Sequence, residues 1–289
     1  MQIFKYLNPI NYAKALIQRV TWIYKFYMKN FTFYYSLFYD IEVVRKELKS
    51  KFMKFGFNYC KALENLDLVL RSIGEKEFHA RGGKGSIHLV LFSAISIHNS
   101  IENILEIGTY DGTTANILSK LFPESNITTI DLPESDPIFR DSNNRSDEEF
   151  YRRYKNKLTD NVSADKIEYI ETNSIFLLAS CKKKYDLIWV DGGHLYPEIA
   201  WDLCNAYHLC QNGGFILCDD VITNKKGKKT NYVSRDSKII LDYITSRTSD
   251  TVDYFLKKEA PRISANPRIR KYVAVLRKDG ETNNLGSNP

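Results

Sequence analysis

The sequence predicts an α/β fold: a mostly parallel sheet with helices on both faces, preceded by a helical extension. Three observations carry this reading. Short apolar runs bounded by Gly, Asp and Asn recur at 103–107, 127–131, 167–171, 185–190 and 214–218. Between them, near 113–121, 147–158, 174–181 and 196–210, apolar residues repeat at helical spacing. Strand-length runs alternating with helix-length patterns indicate parallel strands joined by crossover helices. Finally, Gly108, Asp131, Asn173, Asp191, Asp219 and Asp220 all fall at the C-terminal ends of such runs. In an open α/β sheet that edge is where ligands bind.

Taken in order, residues 1–60 are aromatic and basic, with FTFYYSLFY at 31–39 the extreme case. They hold ten Lys or Arg against three acids, a net of +7 in a chain whose total is +6. The basic pI therefore belongs to this segment, and no nucleic-acid partner is expected. Aromatics at this density need cover. The choices are packing on the main domain, a second subunit in a homo-oligomer, or peripheral membrane contact with Lys facing anionic lipid. Protein cover is favoured, because Asn8, Pro9, Asn11, Asn30 and Asp40 break the segment into short pieces. Residues 61–80 read as a polar helix, ARGGKGS (80–86) as a loop, and 87–98 as a helix leading into the first strand. After the fifth strand come a basic loop, TNKKGKKTNYVSR (223–235), and a helix at about 235–246. Two last runs, 251–258 and 271–278, flank a Pro-containing loop and read as a hairpin-like pair closing the sheet. The polar tail is expected to be disordered. The resulting division is a helical extension at 1–79, a main domain at 80–278 and a tail at 279–289. The five cysteines form no C-x-x-C pair, and no uncharged apolar run reaches the length of a membrane span. Nothing at the start reads as a signal peptide, so the expected location is cytoplasmic.

The stretch NILEIGTYDGTT (103–114) carries the most information. An apolar run ends in Gly108, turns through Thr109–Asp111, and reaches Gly112, where a helical pattern begins. Asp131 ends the next apolar run, nineteen residues past Gly112. The two glycines let backbone approach a ligand closely, and an acid at the end of the second strand can accept both hydroxyls of a ribose. A dinucleotide fingerprint needs G-x-G-x-x-G. Here position 110 is Tyr, position 113 is Thr, and Glu106 sits two residues before the first Gly. Negative charge at that place opposes a pyrophosphate and suits a ligand carrying ammonium and sulfonium groups.

This segment resembles motif I of the class I S-adenosylmethionine-dependent methyltransferases, acid-x-G-x-x-x-G. The resemblance extends over roughly residues 80–278 and implies a Rossmann-like, seven-stranded sheet with one antiparallel strand. By the same resemblance Glu106, Gly108, Tyr110 and Gly112 would hold the methionine half of S-adenosylmethionine. Asp131 would hold the ribose, and Asn173 with Ser174 would border the adenine. Lys84 and Ser86 are further candidates for the methionine carboxylate.

A second constellation lies in YDLIWVDGGHLYPEIAWDL (185–203) and NGGFILCDDV (212–221). Asp191 after the fourth strand, with Asp219-Asp220 after the fifth, looks like metal-dependent O-methyltransferases of the catechol, caffeoyl-coenzyme A and macrolide-sugar types. Carried over, Asp191, Asp219 and Asp220 would bind Mg²⁺ or Mn²⁺, which would activate an acceptor hydroxyl. The string D-G-x-H-x-Y also resembles bacterial methyltransferases in which a metal is not assured. There the enzyme would methylate O or N without metal, and His194, with Asp191, would take the acceptor's proton, as an imidazole can near neutral pH. Both readings stay open on sequence, as does a non-catalytic binding protein on the same fold. The expected acceptor is a hydroxyl on a sugar, glycan or other small molecule. His88, His98 and His208 fall inside helical patterns and read as packing residues; His79 is a weak candidate. The insert at 133–157 is long enough to form a lid.

Overall fold

The computed structural model describes residues 17, 19–23, 41–79, 85–141, 145–223, 234–259 and 270–279. Lys84, the aromatic run 31–39, most of the basic loop at 223–235 and the tail beyond Asp279 lie outside the described residues.

Helices α1 (Ile41–Lys54), α2 (Tyr59–Ser72) and α3 (Ile87–His98) precede β1 (Asn103–Ile107) and α4 (Thr113–Leu121). Then follow β2 (Asn126–Asp131), α5 (Glu148–Asn161), β3 (Ile167–Glu171), a short 3-10 turn and α6 (Leu177–Ser180). The chain continues through β4 (Tyr185–Val190), α7 (Glu198–Leu209), β5 (Cys210–Ile222), α8 (Asp236–Arg247), β6 (Thr251–Leu256) and β7 (Lys271–Arg277). Among the described residues the strands form one seven-stranded sheet, ordered β3-β2-β1-β4-β5-β7-β6. β1 pairs in parallel with both β2 and β4, while β7 runs antiparallel to β5 and β6. The expected seven-stranded, mostly parallel sheet is therefore present, and its last two strands are the predicted closing pair.

Side chains alternate across each strand, so each face of the sheet builds its own core. Ile104, Leu187, Trp189, Phe215 and Leu217 face α2, α3 and α4. Leu105, Ile107, Ile188, Val190 and Ile216 face α7 and α8 through Ile199, Leu203, Ala206 and Leu241. Central β4 is buried along its whole length, as a strand covered on both faces must be.

The helices before β1 belong to the first of these cores. Phe52 of α1 meets Tyr59 and Phe255 edge-on, with ring centroids 5.2 and 5.3 Å apart. Glu259 is fully buried; its carboxylate accepts from Arg45 Nη2 at 2.9 Å and from the Tyr59 hydroxyl. α1 and α2 are thus tied to the segment after β6 by packing and by a buried, hydrogen-bonded charge. α2 is polar only on its outer side: Ala62, Leu66 and Leu70 are fully buried. No helix among the described residues is long and apolar enough to cross a membrane.

Among the strands the largest boundary difference is β5, which starts at Cys210 instead of 214 and runs on to Ile222. Its far end holds a bulge: between the pairs Cys218↔Ala274 and Val221↔Tyr272, two β5 residues oppose one on β7. Those two residues are Asp219 and Asp220, and Asp220 has φ 53.

Candidate active site

The loop after β1 is shaped by two close approaches. Gly108 has φ 105, and a Cβ there would lie 2.5 Å from the Asp191 carbonyl oxygen and 2.8 Å from Gly192 N. The end of β4 therefore rests directly on this loop. Gly112 has φ 72, and a Cβ would meet Asn161 and Val162 at 3.0 Å. The loop is clamped from outside as well. Asn161 Nδ2 donates to the Asp111 carbonyl at 2.8 Å, and Lys157 pairs with the Asp111 carboxylate at 2.9 Å. Tyr110, at φ 48, is partly exposed and packs against Tyr154 with ring centroids 5.7 Å apart.

Glu106 does not line the cleft as its place in the motif implied. It is 1% exposed and accepts from Thr129 Oγ1 at 2.6 Å; Thr109 Oγ1 lies 2.7 Å from the same hydroxyl. Burial pushes its carboxyl well above the usual range, which favours the neutral form. Odd positions of β1 face the α7 side and even ones the α3 side, so Glu106 is directed into the sheet's packing. It supports the loop through Thr129 and Thr109, without direct contact across the cleft.

Asp131 stands at the end of β2, beside the loop. Its Oδ2 accepts from Tyr110 N at 3.0 Å and from Arg145 Nη2 at 2.8 Å, and its Oδ1 accepts from Leu132 N at 2.8 Å. A carboxylate offers about four acceptor positions. Three of those positions are engaged here, so a ribose held by Asp131 would share the carboxylate with Arg145. Arg145 comes from the insert after β2, is 2% exposed, and has its guanidinium 4.3 Å from the Phe139 ring and 4.7 Å from that of Tyr154. The insert is therefore a packed annex with its own apolar cluster of Phe139, Tyr154 and Leu158. Asn173 follows β3; its Oδ1 accepts from Ile175 N at 3.1 Å, and its Nδ2 lies 3.4 Å from Asp136 of the insert. The Ser174 carbonyl accepts from Asn205 Nδ2 at 2.6 Å. Ser86, at the start of α3, is buried and bonded to His88 Nδ1 at 2.9 Å. His88 packs on Trp189 at 4.7 Å, and burial lowers its pKa to about 4, in keeping with a packing role.

The second constellation assembles differently from the metal-dependent pattern. Alternation along a strand would send Asp219 and Asp220 to opposite faces. The bulge cancels that alternation, and both carboxylates close on Lys257 Nζ, Asp220 at 2.5 Å. Lys271 Nζ takes the other oxygen of Asp220. Burial alone would raise the Asp220 pKa, but Lys257 and Lys271 overcome it and hold the group down at about 2. His194 Nε2 lies 3.5 Å from Asp191 Oδ1 and 4.0 Å from Asp220 Oδ2, and its Nδ1 is buried with no partner among the described residues. Burial, and then the charge of Asp219, raise Asp191 to about 6.

This donor set does not suit Mg²⁺ or Mn²⁺. Hard divalent cations need carboxylate oxygens free to coordinate, and here two ammonium groups already hold those of Asp220 and one holds Asp219. No group of three or more His, Cys, Asp or Glu residues with metal-ligand arrangement occurs among the described residues. Of the expected ligand set, Asp219 and Asp220 are met here by lysines instead.

Sequence reasoning missed Lys257, Lys271 and Arg145. A signal for the lysines was present. Once the last two runs are taken as a pair closing the sheet, 257 lies at the end of one and 271 begins the other, which places both at the ligand edge. Arg145 carried no comparable signal, since it lies in an irregular insert.

Residues 105–221 match a family model described as a methyltransferase domain. The match runs from β1 to the bulge of β5 and so includes both halves of the cleft. The matched segment is a methyltransferase domain, and the sheet order and glycine loop around it agree with the Rossmann-like arrangement of S-adenosylmethionine-dependent methyltransferases. Among solved structures, the O-methyltransferase TomG from Streptomyces achromogenes, in complex with SAM, is 16% identical. The alignment covers 76% of this chain and 90% of that one, with a TM-score of 0.48. A putative O-methyltransferase from Klebsiella pneumoniae is 14% identical over 76% and 90% of the two chains, with a TM-score of 0.48. The O-methyltransferase from Bacillus cereus, in complex with SAH, is 16% identical over 74% and 91%, with a TM-score of 0.47. No curated protein matches the chain.

Proposed function

We propose that this enzyme methylates a hydroxyl of a sugar, glycan or other small molecule, with His194 as general base and without a divalent metal. The observation that supports this most strongly is the contact of Gly108 with the backbone of Asp191. It sets the loop that would hold the methyl donor against the strand end that carries the Asp191–His194 pair. S-adenosylmethionine supplies an electrophilic methyl on a sulfonium. The protein's part is to hold two reactants in line and to accept one proton.

The backbone of Gly108, Tyr110 and Gly112 would cradle the methionine half. Asp131 would hold the ribose, and Asn173 with Ser174 would border the adenine. Asp191 and Asp220 face His194 Nε2, so Nδ1 is the nitrogen left to take the acceptor's proton. A buried ring nitrogen without a partner is costly, and an acceptor hydroxyl reaching it would relieve that cost.

The pH profile tests this reading. Burial alone would lower the His194 pKa, but Asp191, and then Asp220 and Asp219, outweigh it and raise the value. A base must be neutral, so kcat rises with pH along a limb set above the ordinary histidine value of about 6.5. Asp191→Asn removes the largest of the raising partners and moves that limb to lower pH. The profile reports the coupled pair, not His194 alone. A kcat that is flat through the neutral range in both proteins would exclude His194 as the base.

A further inference from the structure

We infer that Lys257 is a resident cation that takes the place of a divalent metal among Asp191, Asp219 and Asp220. The inference rests on reading this cleft as the acceptor site. Its main test reads ion binding and not methyl transfer, so the two can fail separately.

Three carboxylates gathered at one sheet edge repel one another, and a fold that gathers them must supply positive charge. Here the chain supplies it itself. Lys257 Nζ contacts Asp219 and, at 2.5 Å, Asp220, while Lys271 Nζ contacts the second oxygen of Asp220. The arrangement is built rather than incidental. The β5 bulge turns both carboxylates to one side, with Asp220 in a left-handed conformation that costs a non-glycine residue energy. Lys257 is fixed at both of its backbone ends: its N–H donates to the Lys271 carbonyl at 2.9 Å, and its carbonyl accepts from Ile87 N at 2.8 Å. Its side chain is 17% exposed, so the charge sits where removal would leave a buried carboxylate unpaired.

A second observation points into the same spot. Asp219 Oδ1 is buried with no hydrogen-bond partner among the described residues, and its side chain is 4% exposed. The acid set thus has one more acceptor oxygen than Lys257 uses. An ammonium can satisfy this set but is not a Lewis acid; it neutralises the carboxylates without polarising a bound oxygen. Proton removal is left to His194, 4.0 Å from Asp220.

The test is Mn²⁺ binding followed by electron paramagnetic resonance of the free ion, on the full chain. Wild-type protein is expected to show no stoichiometric site. Lys257→Ala frees oxygens of Asp219 and Asp220 and is expected to bind Mn²⁺ at least about tenfold more tightly than wild type, because affinity follows ligand charge. Lys257→Arg keeps the cation and is expected to behave as wild type. Methyl transfer by Lys257→Ala should then require Mn²⁺, whereas the wild-type rate should be indifferent to chelator. Should Lys257→Ala not fold alone, recovery of folded protein in Mn²⁺-containing medium reads the same property. A stoichiometric Mn²⁺ site in wild type that is lost in Asp219→Asn overturns the inference. So does a Lys257→Ala protein that gains no Mn²⁺ affinity, or that Mn²⁺ fails to recover.

Discussion

His194→Ala is expected to lower kcat for methyl transfer by about 10²- to 10⁴-fold, the usual contribution of a positioned general base. S-adenosylhomocysteine affinity should change little, because the His194 ring is directed at Asp191 and Asp220, on the acceptor side of the cleft. Loss of kcat with preserved cofactor affinity separates a base from a residue that merely braces the cleft. The residual rate should lose the acid limb of the pH profile, since the titrating group has been removed. Single-turnover kinetics on wild type and variant measure both quantities. Equal kcat in the two proteins would move proton removal elsewhere or make it unnecessary.

Gly108→Ala is expected to abolish detectable cofactor binding and to lower the thermal midpoint. Two costs act at once. The residue sits at φ 105, a region that side-chain-bearing residues rarely adopt. Strain of this kind costs about 1–3 kcal/mol. The added methyl would also stand 2.5 Å from a backbone oxygen of Asp191, and backbone at the end of a central strand cannot swing aside as a side chain can. Overpacking of that sort costs about 1–3 kcal/mol more. Gly213→Ala is the control: it has φ 80 but nothing within 4 Å of its Cβ position. It should show the backbone strain alone and keep cofactor binding. Calorimetric titration with S-adenosylhomocysteine and thermal melts of both variants check the pair, and similar behaviour of the two would refute the close-approach argument.

How much was legible in the sequence depended on whether the information was local. The period of the apolar residues located β1, β3 and β4, and the two glycines of the first loop mark positions where the backbone does need a positive φ. Gathering Gly108, Asp131, Asn173, Asp191, Asp219 and Asp220 at one edge followed from parallel topology alone. What was not legible came from pairings between distant segments. Asp219-Asp220 reads as a metal-binding doublet until Lys257 and Lys271 are brought to it, from positions 38 and 51 residues away. Asp131 reads as a free ribose acid until Arg145 folds back from the insert. Glu106 reads as a charge in the cleft until strand alternation turns it into the packed sheet. In the first two cases a partner from a distant segment sets the residue's chemistry, and in the third burial does.

The joining of a cofactor loop at Gly108 to an acid at Asp131 is the centre of the account, and calorimetric titration with S-adenosylhomocysteine in excess chelator tests it most directly. One equivalent is expected to bind wild-type protein. Asp131→Ala is expected to weaken binding by about 10- to 100-fold, the cost of losing a charged hydrogen bond of about 1.5–3 kcal/mol. Failure of wild-type protein to bind S-adenosylhomocysteine, or binding of a nicotinamide dinucleotide in its place, would contradict the account.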